Sequence, residues 1–251
     1  MDPLISIITV TYNASGVVET TLQSVAEQTF VDYEHIIIDG KSADATVAIA
    51  SRFSNPRLQI YSKPDSGIYH AMNRGLRLAH GRYVLFLNAG DSFATGDTLM
   101  KYARAAMEGK DIIYGDTVIV DRKGKILRPR HLQAPRILTY KSYLQGMLIC
   151  HQAFMVRREI APEYSREFHL SADYDWCMEC IAKSRITQRH NLNAVTIHFL
   201  EGGMTSKLKL KSLRERFIIM KRRFGLLAAL KAHIGFIPRA LLRKTLNYPK
   251  G

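Results

Sequence analysis

Near its N-terminus the chain reads ISIITVT at Ile5–Thr11, a continuous apolar run rich in β-branched residues. Such a run predicts a buried strand. Residues 17–28 follow with apolar side chains at helical spacing, and residues 33–38 return to strand composition. The remaining members of this alternation are helices near residues 44–53 and 68–80 and strands near residues 58–61 and 83–87. Strands that alternate with helices predict an α/β fold with a Rossmann-like, mostly parallel sheet flanked by helices.

The character of the chain changes at residue 111. Short strand-like segments on either side of a turn at residues 121–124 predict a hairpin-like insert. Residues 144–200 mix strand and helix patterns, and basic amphipathic helices follow residue 204. We therefore predict two units, an α/β domain at residues 1–206 and a basic amphipathic helical tail at residues 207–251.

The net charge of +14 is concentrated in that tail. Residues 207–251 hold thirteen of the 36 Lys and Arg residues and only one of the 22 acidic residues, Glu215. The first 206 residues are nearly neutral, so they lack the basic stripe that binding to a nucleic-acid backbone requires. No nucleic-acid partner is expected.

Cysteine usage and the N-terminus favour a cytoplasmic location. Cys150, Cys177 and Cys180 are too few for a disulfide framework, and the chain does not start with the basic residues of a signal peptide. The spacing of Cys177 and Cys180 also occurs in zinc sites, but both fall inside a predicted helix without a second pair. The apolar stretch at residues 224–242 is interrupted by charged residues and a proline, so no membrane-spanning helix is expected.

Polar residues follow four of the predicted strands. In parallel α/β sheets, ligands bind beyond the carboxyl ends of the strands, where loops and helix N-termini collect. The polar residues at these ends are Thr11, Tyr12 and Asn13, then Asp39, Ser42 and Asp44, then Asp65 and Ser66, then Asn88 and Asp91. All four loops should therefore contribute to one edge of the sheet.

Two of these aspartates have a chemical role and a plain structural alternative. Asp39 is placed to accept hydrogen bonds from a base or a ribose, and its structural alternative is to cap a helix or a turn. Asp91 follows a buried strand and a glycine, which is a suitable place to present a hard cation such as Mg²⁺ or Mn²⁺ to phosphate oxygens. Its alternative is to cap the next helix.

The segment SADYDW at residues 171–176 predicts the start of a helix with Ser171 as its N-cap. Asp173 then lies on the first turn, where its carboxylate can take the proton of an attacking hydroxyl. The positive helix end keeps Asp173 ionised but makes it a weaker base. Asp175 is the competing candidate for the base, and a purely capping aspartate is the structural alternative. His198 could be a further metal or diphosphate contact, or it could simply end a strand.

Several common enzyme signatures are absent from the sequence: the phosphate-binding loop ending in G-K-S/T, the G-x-G-x-x-G motif, G-x-S-x-G and H-E-x-x-H. Two other functions also fit part of these observations. A nucleotidyltransferase that makes nucleotide sugars would normally carry a basic glycine-rich loop near the N-terminus, where this chain has no Lys or Arg in residues 11–16. A nucleic-acid-binding protein could use only the charge of the tail.

Four segments of the sequence resemble the family 2 glycosyltransferases, whose nucleotide-sugar-binding fold is called GT-A. They are SIITVTYN at residues 6–13, IDGKSADAT at residues 38–46, PDSGIYHAMNRG at residues 64–75, and GRYVLFLNAGD at residues 81–91. The third is similar to a segment of a bacterial subgroup that builds surface polysaccharides. The sequence departs from the family at Asn88, where a second acidic residue is common, at His70 in place of an aspartate and at Ala172 in place of a glutamate.

This resemblance implies an inverting transfer of one sugar from a nucleoside diphosphate to a hydroxyl of a glycan or lipid-linked acceptor. It further implies a Mn²⁺ or Mg²⁺ ion on Asp91 and Asp173 as the catalytic base. The residues expected to bind the nucleotide sugar are Thr11, Tyr12, Asp39, Asp65, Asn88 and Asp91. The thinner likeness at residues 201–206 matches a loop near the diphosphate.

The tail suggests a further partner. Leu226, Leu230, Ile234, Ile237 and Leu241 recur on one side of a predicted helix, with a break at Pro238, while Lys and Arg occupy the other sides. Such helices either lie on an anionic membrane, here the inner face of the cell membrane, or pack their apolar side on the domain.

Overall fold

The computed structural model describes residues 2–202 and 208–245, with side chains of the last helix described up to residue 236. The strands are β1 Ile5–Thr11, β2 Tyr33–Asp39, β3 Leu58–Ser62, β4 Tyr83–Phe86, β5 Ser92–Phe93, β6 Ile112–Val120, β7 Ile126–Pro129, β8 Phe154–Arg157 and β9 Arg189–Leu200. The α-helices are α1 Val18–Ala26, α2 Thr46–Ser51, α3 Ile68–Leu78, α4 Thr98–Met107, α5 Ala172–Lys183, α6 Lys209–Phe224 and α7 Leu226–Thr245. The predicted alternation of strands and helices in the first part of the chain is confirmed.

Within the described residues the strands form one nine-stranded sheet in the order β3-β2-β1-β4-β8-β6-β9-β5, with β7 paired to β6. Strands β1 to β4 are mutually parallel, so their carboxyl ends lie at one edge. The second half of the sheet adds β8 and β5 antiparallel to their neighbours, while β6 and β9 pair in parallel. The α/β class is confirmed, and the parallel half holds the predicted polar edge.

The predicted hairpin at residue 121 exists, but it is not an insert. Residues 112–114 and 117–120, which look like two strand segments in the sequence, lie in one continuous strand, β6, which turns at residues 121–124 into β7. Strand β6 lies between β8 and β9 in the middle of the sheet's second half. Its polar residue Asp116, where the register to β9 shifts, made one strand look like two in the sequence.

Helix α3 packs across β1 at a glycine. Ala71 and Met72 are buried, and a Cβ on Gly75 would lie 2.4 Å from Cγ2 of Ile8. Only a residue without a side chain allows this approach of helix to strand. Ile68, the first residue of the helix, is in contrast 38% exposed.

The two C-terminal helices pack on the rest of the fold. Ile219 and Met220 of α6 and Ala229 of α7 belong to the main hydrophobic core. Helix α7 continues through Pro238 to Thr245, so the break predicted there is wrong. No helix in the part of the chain described here is long and apolar enough to cross a membrane. The division at residue 206 stays a prediction.

Candidate active site

The carboxylate of Asp39, at the end of β2, is held by hydrogen bonds from nearby side chains and one backbone N–H. It accepts hydrogen bonds from Oγ1 of Thr11 at 3.0 Å, from Oγ of Ser62 at 2.7 Å, and from both the backbone N–H and the hydroxyl of Ser42 at 2.9 and 2.5 Å. Burial acts to raise the pKa of Asp39, but these hydrogen bonds outweigh it and hold the pKa below the ordinary value. Asp39 therefore organises the ends of β1, β2 and β3 as an ionised carboxylate.

Two other predicted residues meet beside this loop. A Cβ on Gly40 would lie 2.7 Å from Oδ2 of Asp65 and 3.2 Å from Cδ2 of Tyr12, so both side chains lie against Gly40. Asp65 also accepts a hydrogen bond from the backbone N–H of Gly67 at 2.9 Å. The ring of Tyr12 is 68% exposed. Thr11, Tyr12, Asp39 and Asp65 thus form one polar group, the β1–β3 edge group.

A cavity of about 440 Å³ lies beside the end of β4 and is lined by several other polar residues. Those that matter for its chemistry are Asn88, Asp91, His151, Gln152, Asp173 and Arg216. The structure therefore brings Asn88, Asp91 and Asp173 together as predicted. Of the described residues, none of the β1–β3 edge group lines this cavity. The carboxylate of Asp39 faces its own loop instead.

Asp91 lies on a tight turn that only glycine can make easily, since Gly90 has φ +97°. Strand β5 follows directly, so Asp91 does not cap a helix. Its Oδ1 accepts the backbone N–H of Leu200 at 2.9 Å, and its Oδ2 accepts Nε2 of Gln152 at 2.7 Å. Burial raises the pKa of Asp91 to about 7, with the two hydrogen bonds acting in the opposite direction. Next to it, Oδ1 of Asn88 is buried and has no hydrogen-bond partner among the residues described.

Asp173 lies on the first turn of α5, as predicted. Its Oδ1 accepts the backbone N–H of Tyr174 at 2.9 Å and the hydroxyl of Tyr69 at 3.3 Å, and its Oδ2 lies 3.5 Å from Nδ1 of His151. Burial acts to raise the pKa of Asp173, but the neighbouring His151 and Arg216 outweigh it, and the pKa is lowered. The lowered pKa agrees with the prediction that Asp173 is ionised.

The structure also shows where the competing base candidate Asp175 and the predicted N-cap Ser171 lie. Asp175 forms an ion pair with Arg223 at 2.9 Å and, within the described structure, does not line the cavity. Ser171 holds the N-cap position, but its hydroxyl lies 3.0 Å from that of Ser212 and makes no capping bond within the described chain. Glu215 of α6 instead accepts the backbone N–H groups of His169 and Leu170, which precede this N-cap.

Sequence analysis missed His151 and Gln152, which occupy a short 3-10 turn, His151–Ala153. One residue of this turn faces each carboxylate: His151 faces Asp173, and Gln152 binds Asp91. The thiol of Cys150 donates to Oε1 of Gln152 at 2.6 Å, which fixes the orientation of the amide. The available signal was a pair of polar residues between two apolar runs, residues 147–149 and 153–156.

Arg216 was also missed, because the tail was treated as an appendage. It lines the cavity, its guanidinium carbon lies 5.8 Å from the ring centre of Tyr174, and its Nε has no partner within the described ranges. Of the residues 201–206 resembling a diphosphate loop, Glu201 and Gly202 line the cavity, and residues 203–206 lie outside the described residues.

The remaining metal candidates do not form a cluster. His198 pairs with Ser92 in the sheet and, in the structure as described, does not line the cavity. Cys177 and Cys180 are buried in the core. Across residues 2–202 and 208–245 no group of three or more His, Cys, Asp or Glu residues could hold a metal ion by itself.

Comparison with known proteins gives consistent matches. The model of the family described as "Glycosyl transferase family 2" matches residues 6–165. A PGL/p-HBAD biosynthesis glycosyltransferase of Mycobacterium tuberculosis is 32% identical over 256 aligned residues, covering 97% of this chain and 96% of that protein. The UDP-Glc:alpha-D-GlcNAc-diphosphoundecaprenol beta-1,3-glucosyltransferase WfgD of Escherichia coli is 25% identical, with 87% and 86% coverage.

Solved structures share the fold at low sequence identity. S. aureus TarS 1-349 in complex with UDP-GlcNAc has a TM-score of 0.74 at 18% identity, with 94% of this chain and 73% of that chain covered. The mannosyltransferase PcManGT from Pyrobaculum calidifontis, in complex with GDP-Man and Mn²⁺, has a TM-score of 0.64 at 16% identity, with 98% and 79% covered. These likenesses support the GT-A fold.

Proposed function

Because the chain belongs to glycosyl transferase family 2, we propose that it transfers one sugar from a nucleoside diphosphate, with inversion, to a hydroxyl of a glycan or lipid-linked acceptor. The observation that carries this proposal is the cavity at the end of β4, which has Asp91 and Asp173 in its lining. The names of the relatives support a role in building a cell-surface polysaccharide or glycolipid. They also favour sugar transfer over the nucleotidyltransferase and nucleic-acid-binding alternatives.

In this proposal the β1–β3 edge group and the polar residues of the cavity bind different parts of the nucleotide-sugar donor. The β1–β3 edge group binds the nucleoside, for which Tyr12 offers an exposed aromatic ring and Asp65 a carboxylate at the mouth of the loop. Asp39 acts there mainly by holding the loop, because its oxygens already accept four hydrogen bonds. Asn88 and Asp91 face the diphosphate and the sugar.

Asp91 and Asn88 also fit a divalent cation, Mn²⁺ or Mg²⁺. Both are oxygen donors, and Oδ1 of Asn88 is a buried acceptor without a partner in the described structure. Such cations are commonly held by one or two carboxylates together with substrate phosphates and water, which suits a cavity with few protein ligands. A bound cation would offset the negative charge that builds on the leaving diphosphate.

Removal of the hydroxyl proton belongs to the site around Asp173 in this proposal. Its lowered pKa keeps the carboxylate ionised at neutral pH, and it lies in the same cavity as the diphosphate site. The Asp173→Asn variant should keep donor affinity but lose turnover by a factor of about a hundred or more. Turnover close to wild type in that variant would exclude Asp173 from the reaction.

A donor screen tests the proposed function directly. Thermal unfolding is measured with uridine, guanosine and thymidine diphosphate sugars, each with Mn²⁺, Mg²⁺ or EDTA. Stabilisation by one base class, dependent on the metal and lost in Asp91→Asn, is the expected result. No stabilisation by any nucleotide sugar would contradict the proposal.

We further propose that the C-terminal helices dock on an anionic membrane surface. Leu226, Leu230 and Ile234, the described members of the predicted apolar stripe, are 49%, 42% and 64% exposed, so a large part of each side chain is available to a partner. Leu227 is 76% exposed, and Lys231 lies exposed beside this stripe. Apolar side chains surrounded by basic charge are typical of helices that lie on anionic lipid.

Truncating the tail is a poor test of docking, because α6 carries Glu215 and Arg216. Substitution of exposed residues is cleaner: a Leu227→Asp, Leu230→Asp, Ile234→Asp variant should lose co-sedimentation with anionic vesicles. Met107→Asp, which changes a 62% exposed apolar residue on α4, is the matched control. Equal pelleting of both variants and wild type, or equal binding to zwitterionic vesicles, would refute the docking.

A further inference from the structure

A second, smaller cavity adjoins the cavity that holds Asp173. It has a volume of about 210 Å³, and both cavities are lined by Ile68 and Tyr69 at the start of α3. The hydroxyl of Tyr69 donates a hydrogen bond to Oδ1 of Asp173 at 3.3 Å, so the wall that the cavities share reaches the candidate base. A molecule whose hydroxyl lies at Asp173 can therefore place a neighbouring group in the smaller cavity.

The lining of the smaller cavity is basic. Besides the two shared residues it consists of Ser66, Gly67, His70, Arg166, Phe168 and His169, and we call it the Arg166 cavity. Three of these side chains are basic, and none of the described lining residues carries a carboxylate. The larger cavity, in contrast, is lined by Asp91, Asp173 and Glu201 as well as by arginines. The Arg166 cavity therefore favours a negatively charged group.

The charge of Arg166 is not neutralised by the acidic residues near it in the chain. Glu163 pairs with Arg77 at 2.5 Å, and Glu167 accepts two hydrogen bonds of 2.6 Å from Arg222. Arg166 is exposed and forms no ion pair with any described residue, and its only hydrogen bond among them, to a serine hydroxyl, is 3.4 Å long. Its guanidinium thus keeps donors free for the oxygens of a phosphate or a carboxylate.

His70 supplies a second donor. Its Nδ1 accepts the backbone N–H of Ser66 at 3.0 Å, and since a backbone N–H only donates, the ring carries its proton on Nε2. This N–H has no acceptor among the residues described. Asp65, the carboxylate nearest to Ser66 in the chain, accepts the backbone N–H of Gly67 at 2.9 Å and, in the structure as described, does not line the cavity. The N–H of His70 is therefore available to a ligand.

The loop that carries Arg166 packs on the end of α6. Next to Arg166, Glu167 binds Arg222, whose guanidinium carbon also lies 5.5 Å from the ring centre of Phe168. Helix α7 begins at Leu226, four residues after Arg222. The Arg166 cavity thus lies near the C-terminal helices proposed to dock on anionic lipid. At such a place the anionic group to expect is a phosphate that joins a sugar to a lipid.

We propose that the Arg166 cavity binds a phosphate group of the acceptor while a hydroxyl of the same acceptor lies at Asp173. This inference rests on the proposed sugar transfer, and it narrows the acceptor to a sugar linked to lipid through phosphate. Arg166 and the Nε2–H of His70 donate hydrogen bonds to the phosphate oxygens. The donor diphosphate lies at Asp91 instead, so the two phosphate groups occupy different cavities.

Geranyl diphosphate, a diphosphate on a short lipid chain, is a suitable probe. Its binding to the full chain is measured by calorimetry in EDTA. Arg166→Ala and His70→Asp should each weaken binding about tenfold or more, because each removes a hydrogen bond to a charged oxygen. Arg104→Ala is the matched control, since Arg104 is an exposed arginine of α4 that, within the described chain, lines neither cavity. It should bind like wild type.

Two further ligands identify the group that is bound. Geraniol has the same chain without charge, and geranic acid carries a carboxylate, and each should bind at least about tenfold more weakly than geranyl diphosphate. Equal binding of either ligand, or unchanged affinity in Arg166→Ala, overturns the proposal. Arg166→Ala decides alone if His70→Asp does not fold, because Arg166 is exposed. The donor screen tests the proposed function separately: binding of geranyl diphosphate through Arg166 without binding of any nucleotide sugar would contradict the function but retain the phosphate site.

Discussion

Asp91→Asn should stabilise the metal-free protein at alkaline pH while it abolishes transfer. Burial raises the pKa of Asp91 to about 7 from an unperturbed 3.8. Between these values the unfolded chain has lost the proton that the folded protein still holds, so stability falls as the pH rises. At roughly 1.36 kcal/mol per pKa unit, the raised pKa lowers the free energy of unfolding by about 2 kcal/mol at pH 5.5 and by about 4 kcal/mol at pH 8.5. Asparagine does not titrate and removes this loss.

The Asp91→Asn substitution also lowers the free energy of unfolding, because it disturbs the hydrogen bond from Gln152. Asparagine can still accept the backbone N–H of Leu200, but its amide N–H₂ would face Nε2 of Gln152, a donor against a donor. Rotating the Gln152 amide would give up the hydrogen bond from Cys150. Either way about 1–3 kcal/mol is lost, independently of pH. The net gain at pH 8.5 is therefore about 1–3 kcal/mol, and at pH 5.5 it is near zero.

Urea denaturation in EDTA at the two pH values measures the difference. The free energy of unfolding of Asp91→Asn relative to wild type should rise by about 2 kcal/mol from pH 5.5 to pH 8.5, or by about 4–8 °C in Tm. Adding Mn²⁺ should stabilise only the wild type. A difference that does not change with pH would refute the burial argument, even if the variant were inactive.

Two further predictions concern packing. Glu215→Ala should lower the free energy of unfolding by about 3–5 kcal/mol in urea denaturation, because it leaves two backbone N–H groups before α5 without their carboxylate. Glu167→Ala, at an exposed ion pair, should leave the free energy of unfolding almost unchanged. Equal effects of the two would contradict the role of α6 in the fold. Gly75→Ala should lower the Tm by several degrees because its Cβ would lie 2.4 Å from Ile8, whereas Gly16→Ala, with no described atom within 4 Å, should leave the Tm almost unchanged.

The parts of the fold that sequence analysis predicted correctly rest on local patterns. A continuous apolar β-branched run encodes the strand Ile5–Thr11, and apolar residues at helical spacing encode the helix Ile68–Leu78. Nearby residues therefore determine both elements. The position of Asp91 was also predictable, because a buried strand and a glycine turn fix where its backbone lies.

The parts that were missed depend on residues distant in sequence. The carboxylate of Asp39 turns inward because Ser62, on a neighbouring strand, donates to it. His151 and Gln152 reach the cavity because β8 joins the sheet beside β4, and no local period encodes that neighbour. Arg216 reaches it from a helix whose composition suggested a surface role. Which way a polar side chain points is decided by tertiary packing, which the hydrophobic pattern does not specify.

The pKa of Asp91 is raised and the pKa of Asp173 is lowered because different groups surround the two carboxylates. Asp91 has only neutral donors, Gln152 and the Leu200 backbone, so burial dominates and its pKa rises. Asp173 has His151 and Arg216 beside it, so nearby positive charge and hydrogen bonding dominate and its pKa falls. Two carboxylates whose pKa values are shifted in opposite directions can divide the work of a reaction. Since adjacent residues of the turn His151–Ala153 contact both, a shift of that turn must disturb both halves of the site together, and substitutions at His151 and Gln152 should not be additive.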